Sequence, residues 1–128
     1  MAVKKRAKYE FRIKRVYDEP SPQDGFRFLV DRLWPRGIRK EKLPFTEWVK
    51  EVAHSPELRK WFGHEPGKWT EFRKRYRQEL ANNPAAWAPL LAAVQKGDVT
   101  LLFAARDMEI NHATVLREFL EGKVAGIP

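Results

Sequence analysis

The pattern of apolar and polar positions divides the chain into strand-like and helix-like stretches. A continuous apolar run over residues 99–105, which follows Gly97 and Asp98, is typical of a strand buried on both faces. Residues 26–34 form a second, mainly apolar stretch that also predicts a strand. Residues 11–17, where apolar and basic side chains alternate at first, predict a half-exposed one.

Helical patterns fill most of the remaining chain. Four predicted helices lie between the strands at residues 26–34 and 99–105. Three of them are predicted from apolar residues at helical spacing: Phe45, Trp48, Val49 and Val52; Trp69, Phe72, Tyr76 and Leu80; and Trp87, Leu90, Leu91 and Val94. The remaining one is predicted from its start and end signals, Ser55, Pro56 and Gly63. Pro89 fits only the first turn of the fourth helix. A fifth helix follows the last strand, with apolar positions at Val115, Leu116, Phe119 and Leu120.

Together these elements predict an α/β fold, a single compact domain with a small, mostly parallel sheet and a helical insertion over residues 43–97. We expect a basic flexible tail at residues 1–8, the domain at residues 9–122 and a C-terminal tail at residues 123–128. If the strands at residues 26–34 and 99–105 are parallel neighbours, their carboxyl ends lie side by side. That edge of a sheet is where α/β proteins ordinarily bind ligands.

Charged side chains follow both of these strands. Asp31 and Arg32 end the earlier strand, Arg106 and Asp107 end the later one, and Arg36 lies just beyond. Arginine binds phosphate or carboxylate through paired hydrogen bonds, so the pattern predicts an anion-binding pocket at the strand ends. A structural arginine–aspartate network that holds the strand ends together is the alternative interpretation.

The start of the last helix adds to the predicted pocket. Asn111 is its expected N-cap, and the first backbone N–H groups after it favour an anion. His112 is a candidate for proton transfer, because histidine is the side chain suited to that role near neutral pH, and a capping or structural hydrogen bond is the alternative. His112, Asp107 and Asp31 are the candidate catalytic groups, and the sequence leaves open whether the protein is an enzyme.

An aromatic and basic segment lies inside the helical insertion. Lys60, Trp61 and His64 are candidate ligand-binding residues, because rings beside cations stack on bases or nucleotides. In the alternative, Trp61 and Trp69 are core residues beside a tight turn. The three histidines lack metal-ligand spacing and no phosphate-binding glycine loop occurs, so neither a metal nor a cofactor is expected.

Composition excludes some classes of function and favours others. The chain has no cysteine, which excludes disulfides, thiolate catalysis and cysteine zinc sites. Lys and Arg outnumber Asp and Glu by 25 to 17, and the net charge of +8 favours an anionic small molecule or nucleic acid as the partner. The absence of a signal peptide or bilayer-spanning stretch predicts a cytoplasmic protein without a membrane partner. The oligomeric state is not predicted.

Basic runs at residues 4–8, 36–42 and 73–77 support an alternative function, a nucleic-acid-binding module without catalysis. That module would present a continuous positive face instead of a pocket. A third interpretation, a structural partner protein, would require an exposed apolar patch.

Three sequence strings carry a family resemblance. Residues 24–37, with the sequence DGFRFLVDRLWPRG, together with residues 58–64 and residues 101–107 with the Asn-His-Ala string at 111–113, resemble the YeaO-like family of small prokaryotic proteins. The resemblance covers roughly residues 12–120 and implies no activity, because the family is one of unknown function. The broader group often has a Cys-His pair where this chain has Asn111 and His112, and another cysteine near Phe103. The resemblance therefore implies no thiol chemistry here, while an anion-binding role for His112 remains open.

Overall fold

The computed structural model describes residues 9–126 of the chain. The strands are β1 (Phe11–Arg15), β2 (Phe26–Leu29), β3 (Glu47–Trp48) and β4 (Val99–Phe103), and the helices are α1 (Pro56–Phe62), α2 (Trp69–Ala81), α3 (Pro84–Val94) and α4 (His112–Val124). All strand pairs are parallel, in the order β1-β4-β2-β3. The predicted α/β fold with a small parallel sheet is confirmed. The basic tail predicted at residues 1–8 lies outside the described residues.

Strand β4 lies at the centre of the sheet and is buried along its whole length. Val99 is paired with Phe11 of β1 on one side and with Phe26 of β2 on the other. The continuous apolar run of β4 follows from this position, because a central parallel strand is covered on both faces. The expectation that β2 and β4 are parallel neighbours is confirmed.

The two faces of the sheet are covered differently. The four helices contribute to the core on one face, which includes Phe28, Val30, Leu101, Phe103, Phe72, Tyr76, Leu90, Leu116 and Leu120. On the other face a smaller cluster forms under the segment that connects β2 to β3, and it contains Val16, Leu29, Leu43, Leu102, Trp34, Phe45 and Trp48. Strand side chains alternate between the faces, so β2 and β4 contribute to both layers.

The helix predicted from Phe45, Trp48, Val49 and Val52 is wrong. The segment forms the short strand β3 followed by a single 3-10 turn at Lys50–Val52. Phe45 and Trp48 pack in the smaller cluster, whereas Val49 and Val52 pack among the helices on the opposite face. Helical spacing therefore appears in the sequence because the segment crosses the edge of the sheet and contributes apolar side chains to both layers.

The other predicted helices are confirmed, with one correction. Helix α1 begins after the Ser55 cap and ends at Gly63 in the left-handed conformation, as the sequence indicated. Helix α3, however, begins at Pro84, so Pro89 lies inside the helix and not in its first turn. Ala85, four residues earlier, is exposed, so water can satisfy the carbonyl that Pro89 leaves unbonded.

Candidate functional site

Asp31 follows β2 and connects the ends of three strands. Its Oδ2 accepts a hydrogen bond from the backbone N–H of Ala104, 3.0 Å away, just after β4. Its backbone carbonyl accepts a hydrogen bond from Nε1 of Trp48 in β3 at 2.7 Å. Because the strands are parallel, this position is the carboxyl edge of the sheet, where the sequence predicted it.

His112 is the first residue of α4 and contacts the same edge. Its Nε2 lies 3.0 Å from the carbonyl oxygen of Val30 and 3.3 Å from Oδ1 of Asp31. A carbonyl oxygen only accepts hydrogen bonds, so Nε2 must carry the proton. Asn111 caps the helix, as predicted, because its Oδ1 accepts from the N–H of Thr114 at 2.9 Å.

His54, which was not among the site residues predicted from the sequence, lies against His112 with ring centroids 5.0 Å apart. Its Nδ1 is buried without a hydrogen-bond partner. Burial, together with the positive charges of His112, Arg59, Arg32 and His64, lowers the pKa of His54 to about 2. His54 is therefore a neutral ring at any ordinary pH.

Arg32 holds the backbone that leads into α1. Its Nη2 donates to the carbonyl of Ala53 at 3.1 Å, and its Nε donates to the carbonyl of His54 at 3.4 Å. Arg59 of α1 is exposed, and its charge acts on both His54 and Asp31. We call these five groups the carboxyl-edge cluster: Asp31, Arg32, His54, Arg59 and His112.

Asp31 is the acidic member of the carboxyl-edge cluster, and it is incompletely paired. Burial raises its pKa above the ordinary value, although the charge of His112, the Ala104 N–H and the charge of Arg59 act in the opposite direction. Its Oδ1 is buried and has no well-formed hydrogen bond. The carboxylate therefore only partly neutralises the positive groups around it.

Arg106 and Asp107 follow β4 but are exposed. The Asp107 carboxylate accepts from the N–H groups of Glu109 and Ile110, each at 2.8 Å, and these bonds lower its pKa. Asp107 thus shapes the turn before α4. Within residues 9–126, Arg106 makes no hydrogen bond or ion pair, so its guanidinium is available to a ligand.

Three other predicted site residues lie farther out in the fold. Arg36 is exposed in the connection between β2 and β3, where its carbonyl accepts a hydrogen bond from the Tyr17 hydroxyl at 3.0 Å. Lys60 is exposed on α1. His64 has a φ of 58° in the turn after α1, and its charge is close enough to lower the pKa of His54.

Trp61 belongs to a different surface. Its ring lies 4.2 Å from the Arg75 guanidinium and 5.1 Å from the Lys68 ammonium, measured to the ring centroid. An open groove of about 390 Å³ between α1 and α2 is lined by Ser55, Glu57, Leu58, Trp61, Arg75, Gln78, Glu79 and Asn82. The tryptophan is half-buried, and it lines this groove instead of contacting His112 or Asp31.

The part of the chain that the structure describes has neither a metal-binding group nor a membrane-spanning helix. Across residues 9–126, no three His, Cys, Asp or Glu side chains are grouped in a way that would hold a metal ion. No helix in that part of the chain is long and apolar enough to cross a bilayer.

Comparison with known proteins gives the family. The model described as the inactive DUF488-N3 subclade matches residues 10–126, nearly the whole chain. The chain belongs to this family, DUF488-N3i. The match includes every member of the carboxyl-edge cluster.

Similar proteins found by sequence comparison carry names that state no activity. The uncharacterized protein YeaO of Escherichia coli is 46% identical over 107 residues, covering 84% of this chain and 93% of YeaO. The uncharacterized protein Rv3073c of Mycobacterium tuberculosis is 44% identical over 112 residues, covering 88% of this chain and 94% of Rv3073c. The resemblance to YeaO-like proteins is confirmed. No solved structure matches the chain.

Proposed function

We propose that this DUF488-N3i protein binds a phosphate-type anion at the carboxyl edge of its sheet. The observation that carries the proposal is the convergence of positive charge on His54. Positive charge reaches this ring from three parts of the chain, namely Arg32, the segment of Arg59 and His64, and His112, and each of these groups lowers its pKa. A bound anion would compensate charges that Asp31 alone leaves in excess.

The geometry favours recognition by several donors over a single ion pair. Arg59 and Arg106 are exposed, and Arg106 has no partner among the described residues. The Nε2 of His112 is committed to the carbonyl of Val30, and in the protonated form of the ring the second nitrogen, Nδ1, is a donor as well. Paired guanidinium donors and a histidine N–H bind phosphate oxygens through charge-assisted hydrogen bonds.

Binding without catalysis is the role that we propose. The carboxylates suggested for proton transfer are engaged elsewhere, since Asp31 accepts from Ala104 and Asp107 from the turn at Glu109 and Ile110. The chain has no cysteine to act as a nucleophile. The family description also uses the word inactive, which supports a binding role.

The nucleic-acid alternative stays a prediction without a specific supporting contact. On α2, Arg73 and Arg77 both pair with Glu118, and Arg75 pairs with Glu71. These pairs reduce the positive charge that one basic run would offer to a phosphate backbone. Gel-shift measurements with DNA and RNA across a salt series would test the alternative, because binding through phosphates weakens steeply with salt.

The proposal is tested by titrating the protein with inorganic phosphate and following amide shifts by NMR. We expect the largest shifts at Asn111, His112 and Ala113. Arg106→Ala should weaken binding by about 1.5–3 kcal/mol, the range for a hydrogen bond to a charged group. Arg59→Gln should also weaken phosphate binding.

Lys96→Gln is the matched control, because Lys96 is exposed and precedes β4 at the opposite edge of the sheet. This variant also removes one positive charge, so it should change phosphate affinity only by the small amount that a lower net charge causes. If Arg106→Ala and Arg59→Gln stay folded and bind phosphate as the parent does, the site assignment is wrong.

A further inference from the structure

Three large hydrophobic side chains are exposed in the part of the chain that the structure describes, and all three follow strands. Tyr17 comes after β1, Leu33 after β2 and Met108 after β4, with exposed fractions of 47%, 59% and 47%. Since all strands are parallel, these positions lie at the carboxyl edge. We call these three side chains the apolar rim.

Contacts between the three loops make this edge one continuous surface. The Tyr17 hydroxyl donates to the carbonyl of Arg36, three residues after Leu33, at 3.0 Å. The Arg15 guanidinium lies 4.9 Å from the centre of the Tyr17 ring and donates to the carbonyl of Ala105 at 2.8 Å. The strand order β1-β4-β2 places the three loops side by side.

Scattered exposed hydrophobic residues are ordinary on a protein surface. In this structure, however, the exposed large ones are restricted to the edge that carries the cationic groups. Leu33 directly follows Arg32 of the carboxyl-edge cluster, and Met108 is two residues from Arg106. A ligand that contacts Arg106 with its charged end therefore has apolar side chains next to it.

We propose that the natural ligand is an organic phosphate-type anion with an aromatic or aliphatic group close to its charge. This inference rests on the proposed function and names the ligand class of the same site. The charged end binds among Arg59, Arg106 and His112, and the apolar part covers side chains of the apolar rim. Removing those side chains from water supplies binding energy that inorganic phosphate does not gain.

The test compares three probes at constant pH and ionic strength: inorganic phosphate, glycerol phosphate and phenyl phosphate. Calorimetry or NMR titration gives each dissociation constant. We expect phenyl phosphate to bind about tenfold more tightly than glycerol phosphate, the change that corresponds to roughly 60 Å² of apolar surface removed from water.

A double variant, Leu33→Asn with Met108→Gln, should reduce that preference to about threefold or less while phosphate affinity is unchanged. Both positions are exposed, so the fold should tolerate the changes. Leu33→Met is the matched control, because it retains an apolar side chain and should keep the preference.

The failures of the two proposals are distinguishable. Equal affinity for phenyl and glycerol phosphate, with phosphate still bound at the site, overturns the inference and leaves the proposed function standing. A preference that survives in the double variant also overturns it, because the apolar contacts would then lie elsewhere. Absence of binding by all three probes overturns both.

Discussion

An aspartate lies at each end of β2, buried at Asp24 and partly buried at Asp31, and the pKa values of the two carboxylates are shifted in opposite directions. Asp24 precedes the strand and is 5% exposed; Asp31 follows it and is 17% exposed. Burial acts to raise the pKa of Asp24, but hydrogen bonds from Lys14, the Ser21 backbone and Arg27 prevail and lower it. At Asp31 burial prevails, and the pKa is raised.

The difference lies in the partners at each end. Asp24 contacts Arg27 and accepts from Lys14 at 2.8 Å, and its backbone carbonyl accepts from the Thr100 hydroxyl at 2.8 Å. Asp31 has one backbone donor and a histidine at 3.3 Å. The amino-terminal end is therefore built for stability, while the carboxyl-terminal end retains an incompletely paired charge, which is common at functional sites.

The largest effect is expected at the amino-terminal end, for Gly25→Ala. A Cβ there would lie 2.2 Å from the backbone oxygen of Asp98, and Gly25 has a φ of +64°. Steric overlap and the positive φ together should lower the free energy of unfolding by about 3–5 kcal/mol. Urea denaturation measures the loss.

The control for that change is Gly122→Ala in α4, where an added Cβ meets nothing within 4 Å. Alanine favours a helix, so this variant should be unchanged or gain about 0.5–1 kcal/mol. A loss below 1 kcal/mol for Gly25→Ala would contradict the tight packing of this end.

A direct comparison exchanges each aspartate for asparagine at pH 7. Asp24→Asn leaves Lys14 and Arg27 without their carboxylate and should cost about 2–4 kcal/mol, between the loss of one charged hydrogen bond and that of a buried ion pair. Asp31→Asn removes a poorly solvated charge while its oxygen still accepts from Ala104, so stability should change by less than about 1 kcal/mol. Equal losses in the same denaturation assay would refute the contrast.

The pH dependence of stability should reveal His54. Its pKa is about 2 in the folded protein and about 6.5 when unfolded, so the unfolded chain binds the additional proton. The stabilisation that this difference in pKa contributes is present in full above pH 6.5 and is lost as the pH falls toward the pKa of His54 in the folded protein. Between pH 7 and pH 5 the loss from His54 should be about 2 kcal/mol.

His54→Gln removes this titration and should make the unfolding free energy less dependent on pH in that interval. Subtracting the variant from the parent isolates His54 from the other groups that face it, namely Asp31, His112, Arg32, Arg59 and His64. Two parallel pH profiles would mean that His54 takes up its proton over the same pH range in the folded and unfolded states, which would contradict the lowered pKa.

Much of this architecture follows from local sequence patterns. The apolar run of β4 and the caps at Ser55 and Asn111 identified a strand and two helix starts. The segment 45–52 misled because a strand of two residues is too short to show alternation, and its apolar residues serve two cores. Long-range packing determined the structure of this segment, and such packing leaves no periodic pattern in the sequence.

The error at residues 45–52 explains why one of the two missed site residues, His54, was not predicted. Once β3 is counted as a strand, His54 is recognisable as a residue that follows a third strand at the carboxyl edge. Arg59 lies on the exposed side of a short helix, and only the tertiary arrangement places its charge near His54. Asp31, Arg32 and His112 were found because they directly adjoin well-marked elements.

The position of β4 also determines when the sheet can form as the protein is synthesised. Strands β1 and β2 do not pair with each other; both pair with β4, whose first residue lies 88 positions after the start of β1. A nascent chain that has left the ribosome as far as α3 therefore has neither of the two longer pairings available. Until Val99–Phe103 emerges, β1 has no strand partner and β2 can pair only with the two-residue β3. Completion of the sheet is therefore a late, non-local event, and folding should be slow for a domain of this size.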